Sequence, residues 1–208
     1  LGMAKWGLIT AVEDVRRLVQ FVHDLYPRAK VILGGHSLGG MLSQIYAAWR
    51  FGASAAALGA TLFVWFTIAL AFIDQETGLL PDDLTLPLVW MGLLLNLGGA
   101  FVPLRDAVIG AVAGYLVLWL VYHGYKLATG KEGMGYGDFK MNAAVGAFLG
   151  WKMLPLVILL SSVVGLVFGA LQMFAARGKW DAGFRFHFGP YLAIAGIVAM
   201  FWGEPIVR

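Results

Sequence analysis

Residues 133–140 read Gly133-Met134-Gly135-Tyr136-Gly137-Asp138-Phe139-Lys140, a glycine-rich loop that ends beside a carboxylate. An apolar run begins directly after it, so Asp138 lies where hydrocarbon gives way to water. Gly135 and Gly137 remove side chains beside this acid, which allows a tight turn and the close approach of another backbone, such as that of a peptide. The stretch therefore predicts a functional site at the end of a membrane-embedded helix.

A second carboxylate, Asp74, follows the apolar run Ala53–Ile73. Ionisable groups at this depth are costly and are candidates for function. Two carboxylates that lie close together cannot both ionise, so one keeps a proton while the other acts as a base. Such a pair can hydrolyse a peptide bond by general acid–base catalysis. The alternatives are a helix-end carboxylate in water for Asp74 and an N-cap of a helix beginning at Phe139 for Asp138.

The composition is typical of a membrane protein. Apolar residues make up 60% of the 208 residues and charged residues 13%, whereas soluble domains carry about 25% charged residues. The absence of cysteine excludes a disulfide, a thiolate nucleophile and a cysteine zinc site. No spacing of metal ligands stands out, so we expect no metal or other cofactor. The net charge of +3 needs no nucleic-acid partner, because basic residues commonly flank membrane helices.

The chain after residue 53 is predicted to be an all-α polytopic membrane domain with about six transmembrane helices. Its apolar runs approach the length of about 20 residues that crosses a bilayer. They are Ala53–Ile73, Leu84–Val102, Asp106–Leu127, Met153–Ala175 and Pro190–Ile206, with the shorter Met141–Trp151 beside the Asp138 loop. Several glycines are spaced for close helix packing in lipid: Gly110, Gly114, Gly146, Gly165 and Gly169.

Basic residues indicate the orientation of these helices. Six lie in loops on the side of the two acids: Lys126, Lys131, Lys140, Arg177, Lys179 and Arg185. The opposite side has Arg105 and Lys152, apart from the terminal Arg208. Because loops rich in lysine and arginine stay in the cytoplasm, we expect the loops of Asp74 and Asp138 to lie together on the cytoplasmic face.

Other polar residues near the two acids receive separate interpretations. Glu76 and Thr77 share the polar loop after Asp74, and we expect them to bind substrate together with Gly135, Tyr136 and Gly137. Asp82 and Asp83 follow Pro81 and are typical of helix capping. Asn96 and His123 lie inside apolar runs, where hydrogen bonds between helices are the expected role.

Residues 1–47 have a different character. An amphipathic helix is predicted over Val12–Leu25 and a short strand over Ala29–Leu33, followed by Gly35-His36-Ser37-Leu38-Gly39. This short soluble-like helix-strand-turn segment resembles the nucleophile elbow of an α/β-hydrolase, with Ser37 in the nucleophile position. In that family the acid and the histidine come after further strands, whereas membrane helices follow here. The alternative is a small-residue turn in a fused fragment.

Three stretches together carry a second resemblance: Phe72–Pro87, which includes Asp74, then Gly133–Lys140, and Phe188-Gly189-Pro190-Tyr191-Leu192-Ala193. In order and spacing they resemble the bacterial type IV prepilin peptidases, which are GxGD-type aspartic proteases of the inner membrane. The resemblance runs from about Ala48 to the C-terminus. It implies that Asp74 and Asp138 are the catalytic pair. It also implies prepilin and pseudopilin substrates of type IV pili and type II secretion, cleaved after the glycine of a short basic leader at the cytoplasmic face.

The resemblance also shows departures. Full-length family members begin with a membrane helix and a cytoplasmic domain that often carries paired CxxC motifs tied to N-methylation of the product. Neither feature is found here, so methyltransferase activity has no support in the sequence. We divide the chain into a hydrolase-like fragment, 1–47, and a membrane-embedded peptidase domain, 48–208. The alternatives are an inactive membrane remnant and a serine hydrolase acting through Ser37. No oligomeric state is predicted.

Overall fold

Six α-helices follow one another between Ala55 and Val207 in the described part of the chain. The computed structural model describes residues 44, 46–52, 54–131, 133–175 and 187–207, and Ser37 and the segments predicted around it lie outside these ranges. The helices are α1 (Ala55–Thr77), α2 (Asp82–Leu97), α3 (Leu104–Thr129), α4 (Tyr136–Leu149), α5 (Leu154–Ala175) and α6 (Gly189–Val207). A 3-10 turn, Trp151–Met153, precedes α5. The all-α prediction is confirmed for the described residues.

Three helical stretches of the described chain are long and apolar enough to cross a membrane. They are Ala55–Thr77, Leu104–Thr129 and Trp151–Leu171, and Gly189–Gly203 is a shorter apolar helix. Helices of this length and composition are suited to hydrocarbon, where a helix satisfies the hydrogen bonds of its own backbone. The protein is therefore an integral membrane protein. The total of about six transmembrane helices stays a prediction.

The short helix α4 lies at the centre of the bundle. Its 14 residues correspond to about 21 Å, which is less than the hydrocarbon thickness of about 30 Å. Every residue from Asp138 to Gly150 except Lys140 is buried. The helix packs most extensively against α3 and α2, and also contacts α6. It is therefore covered by protein along most of its length, with its first turn directed towards one end of the bundle.

Glycines allow the close contact between α3 and α4. A Cβ added to Gly110 would overlap the carbonyl oxygen of Gly146, and a Cβ on Gly114 would meet the carbonyl oxygen of Asn142 at 2.6 Å. The predicted close packing is confirmed for these three glycines. Because the backbones touch, α4 has little freedom to slide along α3.

Asn96 connects α2 to the far end of α4. Its Nδ2 donates to the carbonyl oxygens of Ala147 and Phe148 at 2.9 and 3.1 Å. Its Oδ1 accepts hydrogen bonds from the backbone N–H groups of Phe101 and Val102 at 2.9 and 3.1 Å. The prediction of an interhelical hydrogen bond is confirmed at this residue.

His123 differs from its prediction. Its Nδ1 lies 3.0 Å from the carbonyl oxygen of Trp119, one turn earlier in α3, and the two rings stack with centroids 4.0 Å apart. The hydrogen bond described for His123 is thus within its own helix rather than between helices. The carbonyl oxygen of the preceding turn lies within reach of the ring, since side chains on a helix point back towards that turn.

Candidate active site

Asp74 lies in the last turn of α1. The helix continues past the end of the apolar run and stops at Gly78, which adopts a left-handed conformation with φ of 69° and donates its N–H to the Asp74 carbonyl oxygen at 2.8 Å. The Asp74 residue is only 6% exposed, whereas its neighbours Gln75 and Glu76 are exposed. Its Oδ2 accepts a hydrogen bond of 3.1 Å from the N–H of Gly189 at the start of α6. Asp74 therefore points into the bundle and not into the surrounding water.

Asp138 occupies the first turn of α4. This helix begins at Tyr136 and not at Phe139, so Asp138 is its third residue rather than its N-cap. Its Oδ2 accepts a hydrogen bond of 3.2 Å from the N–H of Gly135, the residue that precedes the helix. Its Oδ1 is buried and has no hydrogen-bond partner among the described residues. One oxygen thus holds the loop in place while the other remains available for a proton or a ligand.

The two carboxylates act on each other electrostatically. Asp138 is 5% exposed and lies outside the three spanning helices. Burial raises the pKa of its carboxyl to about 7, and the negative charge of Asp74 adds to this effect, while the hydrogen bond from Gly135 opposes it. The structure therefore brings together the two acids selected from the sequence. Near neutral pH such a pair can hold a single proton.

The absence of a side chain at Gly137 allows close packing beside Asp138. A Cβ at this position would lie 2.5 Å from Cβ of Leu80 and 3.2 Å from its carbonyl oxygen. The loop between α1 and α2 therefore fills the space that the missing side chain leaves. Gly135 has a different environment, since a Cβ there would meet only Oδ2 of Asp138 at 3.6 Å. Of these two glycines, Gly135 is thus the one that has space for a side chain beside it.

Tyr136 is 53% exposed at the same end of the bundle. Its ring lies 5.4 Å from Tyr122 and 5.5 Å from Phe139, measured between centroids. Phe139 is buried and also packs edge-on against Tyr115 at 5.8 Å. An aromatic cluster therefore lies beside Asp138, and Tyr136 is its exposed member.

The other two predicted substrate-binding residues lie at the end of α1. Both Glu76 and Thr77 are exposed. The Thr77 hydroxyl donates to the carbonyl oxygen of Ile73 at 2.7 Å and accepts from the N–H of Leu79 at 3.2 Å. Thr77 thus stabilises the turn that leaves the helix, while Glu76 extends from the same turn.

Asp82 has a role that the capping prediction did not include. Helix α2 has Pro81 at its N-cap and no side-chain capping hydrogen bond. Asp82 instead forms an ion pair with Lys140 of α4, although both acids of the first turn lie at the positive end of the helix dipole. The pair joins the start of α2 to the helix that carries Asp138.

Comparison with known proteins agrees with this geometry. Residues 61–170 match the model of the type IV leader peptidase family, and this segment makes up more than half of the chain. The chain belongs to this family. The matched segment includes both Asp74 and Asp138, so the leader peptidase resemblance read from the sequence is confirmed. No solved structure matches the chain.

Several similar proteins are named prepilin leader peptidase/N-methyltransferase. The protein of Aeromonas salmonicida is 59% identical over 151 residues, which are 73% of this chain and 51% of that protein. The protein of Stutzerimonas stutzeri is 54% identical over 167 residues, which are 80% of this chain and 57% of that protein. The protein of Pectobacterium carotovorum is 46% identical over 181 residues, which are 87% of this chain and 62% of that protein. This leader peptidase family member thus spans about half the length of the curated relatives that it matches.

Two residues of this leader peptidase site were not selected from the sequence. Gly189 donates the hydrogen bond to Asp74, and His187 lies near the same carboxylate and interacts with its charge. Both belong to the segment that leads into α6. The Phe188-Gly189-Pro190 stretch carries part of the resemblance to the leader peptidases, and this is the one signal that marks the segment as functional. Nothing in its composition indicates that it packs on Asp74. In the described residues, no group of three histidine, aspartate or glutamate side chains is arranged to hold a metal ion.

Proposed function

We propose that this chain is an aspartic endopeptidase that removes the leader peptides of type IV prepilins and pseudopilins. The observation that supports it most directly is the pair of buried carboxylates, Asp74 from α1 and Asp138 from α4, which interact at one end of a membrane-embedded bundle. The names of the relatives support the choice of substrate.

The proposed mechanism assigns one proton to the pair. Asp138 is the acid, since burial and the charge of Asp74 favour its protonated form near neutral pH. Asp74 is the base, and the N–H of Gly189 stabilises its ionised carboxylate. A water molecule between the two acids loses a proton to Asp74 as its oxygen attacks the carbonyl carbon of the scissile peptide bond.

The remaining proton movements complete the hydrolysis. As the attack proceeds, Asp138 gives its proton to the carbonyl oxygen, so the tetrahedral intermediate carries no net oxyanion. The C–N bond then breaks, the nitrogen takes the proton held by Asp74, and Asp138 recovers a proton from the collapsing hydroxyl group. The products are a free carboxylic acid on the leader and a free amine on the mature chain, with no covalent enzyme intermediate.

The proposed location follows from charge and geometry. Both acids lie at the end of the bundle where α1 and α3 finish, together with Lys126, Lys131 and Lys140. Such a surplus of basic residues favours a cytoplasmic position. We therefore place the site at the cytoplasmic face of the bacterial inner membrane, where a leader with basic residues would be presented.

The test is cleavage of a model prepilin by the purified chain in detergent, with Asp74→Asn and Asp138→Asn run beside it. We expect processing by the parent and a loss of at least about a thousandfold in each variant. Asp83→Asn is the matched control, because Asp83 is an exposed carboxylate at the same end of the bundle. Processing by both catalytic variants at the parent rate would refute the mechanism.

One further variant, Ser37→Ala, and the parent chain itself separate the alternatives. Loss of processing in Ser37→Ala with retention in Asp138→Asn would favour the serine hydrolase. A parent chain that folds but cleaves nothing would favour the inactive remnant. Mass analysis of the mature product also shows whether its N-terminus gains a methyl group when a methyl donor is supplied.

A further inference from the structure

The loop between α1 and α2, residues 78–81, connects the two helices beside the acid pair. At its start, the N–H of Gly78 donates to the carbonyl oxygen of Asp74 at 2.8 Å. At its end, the carbonyl oxygen of Pro81 accepts from the N–H of Thr85 at 3.1 Å and so takes part in the first turn of α2. Because both ends are hydrogen-bonded into helices, the position of the last turn of α1 is linked to the position of this loop.

Two contacts connect the loop and the start of α2 to the beginning of α4. Leu80 is buried, and a Cβ on Gly137 would lie 2.5 Å from its Cβ. Asp82, the first residue of α2, forms an ion pair with Lys140. Gly137 directly precedes Asp138 in α4, and Lys140 follows it by two positions. The segment that leaves α1 is thus held on α4 on both sides of this acid in the sequence.

The ion pair lies at the surface of the bundle. The side chains of Lys140 and Asp82 are 27% and 55% exposed, and an exposed pair contributes little to the free energy of unfolding. Its hydrogen bond from Nζ of Lys140 to Oδ1 of Asp82 nevertheless connects two helices across 58 positions of sequence. The pair therefore matters more for where the loop lies than for how stable the chain is.

The charge of Lys140 has its described contact with Asp82 and not with the acid pair. The pKa of Asp138 is set by burial, by the charge of Asp74 and by the N–H of Gly135. A geometric effect of the ion pair on the site is therefore better supported than an effect of the lysine charge on Asp138.

We infer that Asp82 and Lys140 are positioning residues, whose ion pair holds the α1–α2 loop against α4 and so sets the separation of Asp74 and Asp138. Two acids that share one water molecule must both lie within reach of it, and a displacement of about 1 Å in a reacting group lowers the rate about a hundredfold. The inference rests on the proposed peptidase function for its catalytic meaning, but not for the position of the loop.

The first test needs no activity. The chain has no cysteine, so Leu79→Cys in the loop and Leu127→Cys near the end of α3 provide two spin-labelling positions, both at exposed residues. The backbone of α3 touches that of α4, so the distance between the labels reports the position of the loop relative to α4. Pulsed electron paramagnetic resonance on the full chain in detergent measures the distribution of this distance.

We expect the distance distribution to become broader, or its mean to shift, when Asp82→Asn or Lys140→Met is added to the labelled chain. Asp83→Asn is the matched control, because it removes an exposed carboxylate next to Asp82, and it should leave the distribution as in the parent. The same distribution in all variants would overturn the inference, since the ion pair would then not determine where the loop lies.

The second test is a double-mutant cycle on prepilin cleavage. Asp82→Asn and Lys140→Met should each lower kcat about tenfold and change KM less than about threefold, because displaced acids stabilise the transition state less while substrate binding is kept. The double variant should lose no more than a single variant, since each single change already breaks the pair. Lys140→Arg keeps the cation and should stay within about threefold of the parent. Additive losses, or an arginine variant as slow as Lys140→Met, would overturn the inference.

The pH profile of kcat separates position from charge. Displaced acids lower kcat equally at all pH values, whereas loss of a cation that acts on Asp138 raises the pKa of this acid and moves the alkaline limb to higher pH. We expect the loss without a movement of the limb. A limb that moves to higher pH in Lys140→Met and to lower pH in Asp82→Asn would show that the pair acts through its charges, and the inference would be wrong.

Stability provides the remaining control. The thermal unfolding midpoints of the single variants should stay within about 4 °C of the parent, because the pair is exposed. Lys131→Met, which changes an exposed lysine in the loop before α4, should match the parent in both kcat and midpoint. A fall in the midpoint that accounts for the lost activity would indicate a merely structural role and would also overturn the inference.

The two proposals fail in different ways. If the parent shows no cleavage that depends on Asp138, the peptidase function is wrong, and the distance measurement still decides whether the ion pair positions the loop. If cleavage depends on Asp138 while the distance distribution and kcat are indifferent to the ion pair, the function stands and the inference is wrong. If Lys140→Met does not fold, Asp82→Asn and Lys140→Gln give the same decision.

Discussion

The backbone N–H of Gly189 donates a hydrogen bond of 3.1 Å to Oδ2 of Asp74, across 115 positions of sequence. A Cβ on Gly189 would lie 2.7 Å from that oxygen and 3.0 Å from Cγ. The start of α6 is therefore in direct contact with the carboxylate, and a side chain would not fit between them. This contact fixes the direction in which Asp74 points.

Gly189→Ala should displace the Asp74 carboxylate. We expect kcat/KM for prepilin cleavage to fall about a hundredfold, since a shift of about 1 Å in a reacting group has an effect of that size. Gly124→Ala on α3 is the matched control, because a Cβ there meets nothing within 4 Å. Steady-state kinetics and thermal unfolding of both variants in detergent are the measurements. Equal kinetics for the two variants would show that the contact does not position Asp74.

The two glycines beside Asp138 should respond differently to alanine. Gly137→Ala places a Cβ 2.5 Å from Leu80, and we expect it to lower the free energy of unfolding by about 1–3 kcal/mol. Gly135 has φ of −82° and ψ of 151° and room for a Cβ, so its change should stay within about 1 kcal/mol. Denaturant titration of the two variants checks this, and similar losses in both would contradict it.

The lengths of the apolar runs and their residue types predict the helices well. In lipid each backbone group needs a partner inside its own segment, so apolar runs of sufficient length become helices. The end of α1 was less predictable from hydropathy. The run of apolar residues stops at Ile73, but hydrogen bonding continues to Thr77, which leaves Asp74 inside the last helical turn. A helix thus extends beyond its apolar run when a glycine turn completes its end.

Contacts between distant segments could not be read from the sequence. Both catalytic candidates were found because a carboxylate beside an apolar run is unusual on its own. The pairing of Asp82 with Lys140 and the filling of the space beside Gly137 by Leu80 depend on how α2 and α4 meet. No local sequence pattern indicates that α2 packs against α4. For Asp82 the sequence therefore predicts a helix-capping role instead.

Asn96 should be important for stability although it lies far from the acid pair in the fold. Asn96→Leu leaves the hydrogen-bonding groups of Ala147, Phe148, Phe101 and Val102 without their side-chain partner. We expect the free energy of unfolding to fall by about 2–4 kcal/mol, because buried unpaired polar groups are costly. Leu94→Ala, at an exposed position of the same helix, is the control. A smaller loss for Asn96→Leu than for the control would count against the interhelical role.

Activity should decline on the alkaline side as Asp138 loses its proton. Its pKa is raised to about 7 by burial, and by the charge of Asp74, and the proposed mechanism requires the protonated form. Above that pH we expect kcat/KM to fall about tenfold for each pH unit. The profile is measured from about pH 5 to 9, with the fold checked by circular dichroism at each point. A rate that stays constant up to the alkaline end would exclude Asp138 as the acid.

Asp138→Asn should stabilise the folded chain at high pH while it abolishes cleavage. Because the pKa of Asp138 is raised from 3.8 in the unfolded chain to about 7 in the fold, the folded state binds more protons between these values. The stability that the group provides is therefore complete below about pH 4 and is lost as pH rises through about 7. Asparagine does not titrate, so the stability of Asp138→Asn relative to the parent should grow across this window.

The measurement is thermal unfolding of the parent and Asp138→Asn in detergent at pH values below, inside and above the window. Asp83→Asn, which changes an exposed carboxylate, controls for the general effect of removing a negative charge at this end of the bundle. A gain that appears only as pH rises, and only for Asp138→Asn, would show that the folded chain holds this carboxyl in an environment unfavourable to its charge. A difference that is independent of pH would mean that Asp138 ionises as freely in the fold as in water, and it could not then supply the proton near neutral pH.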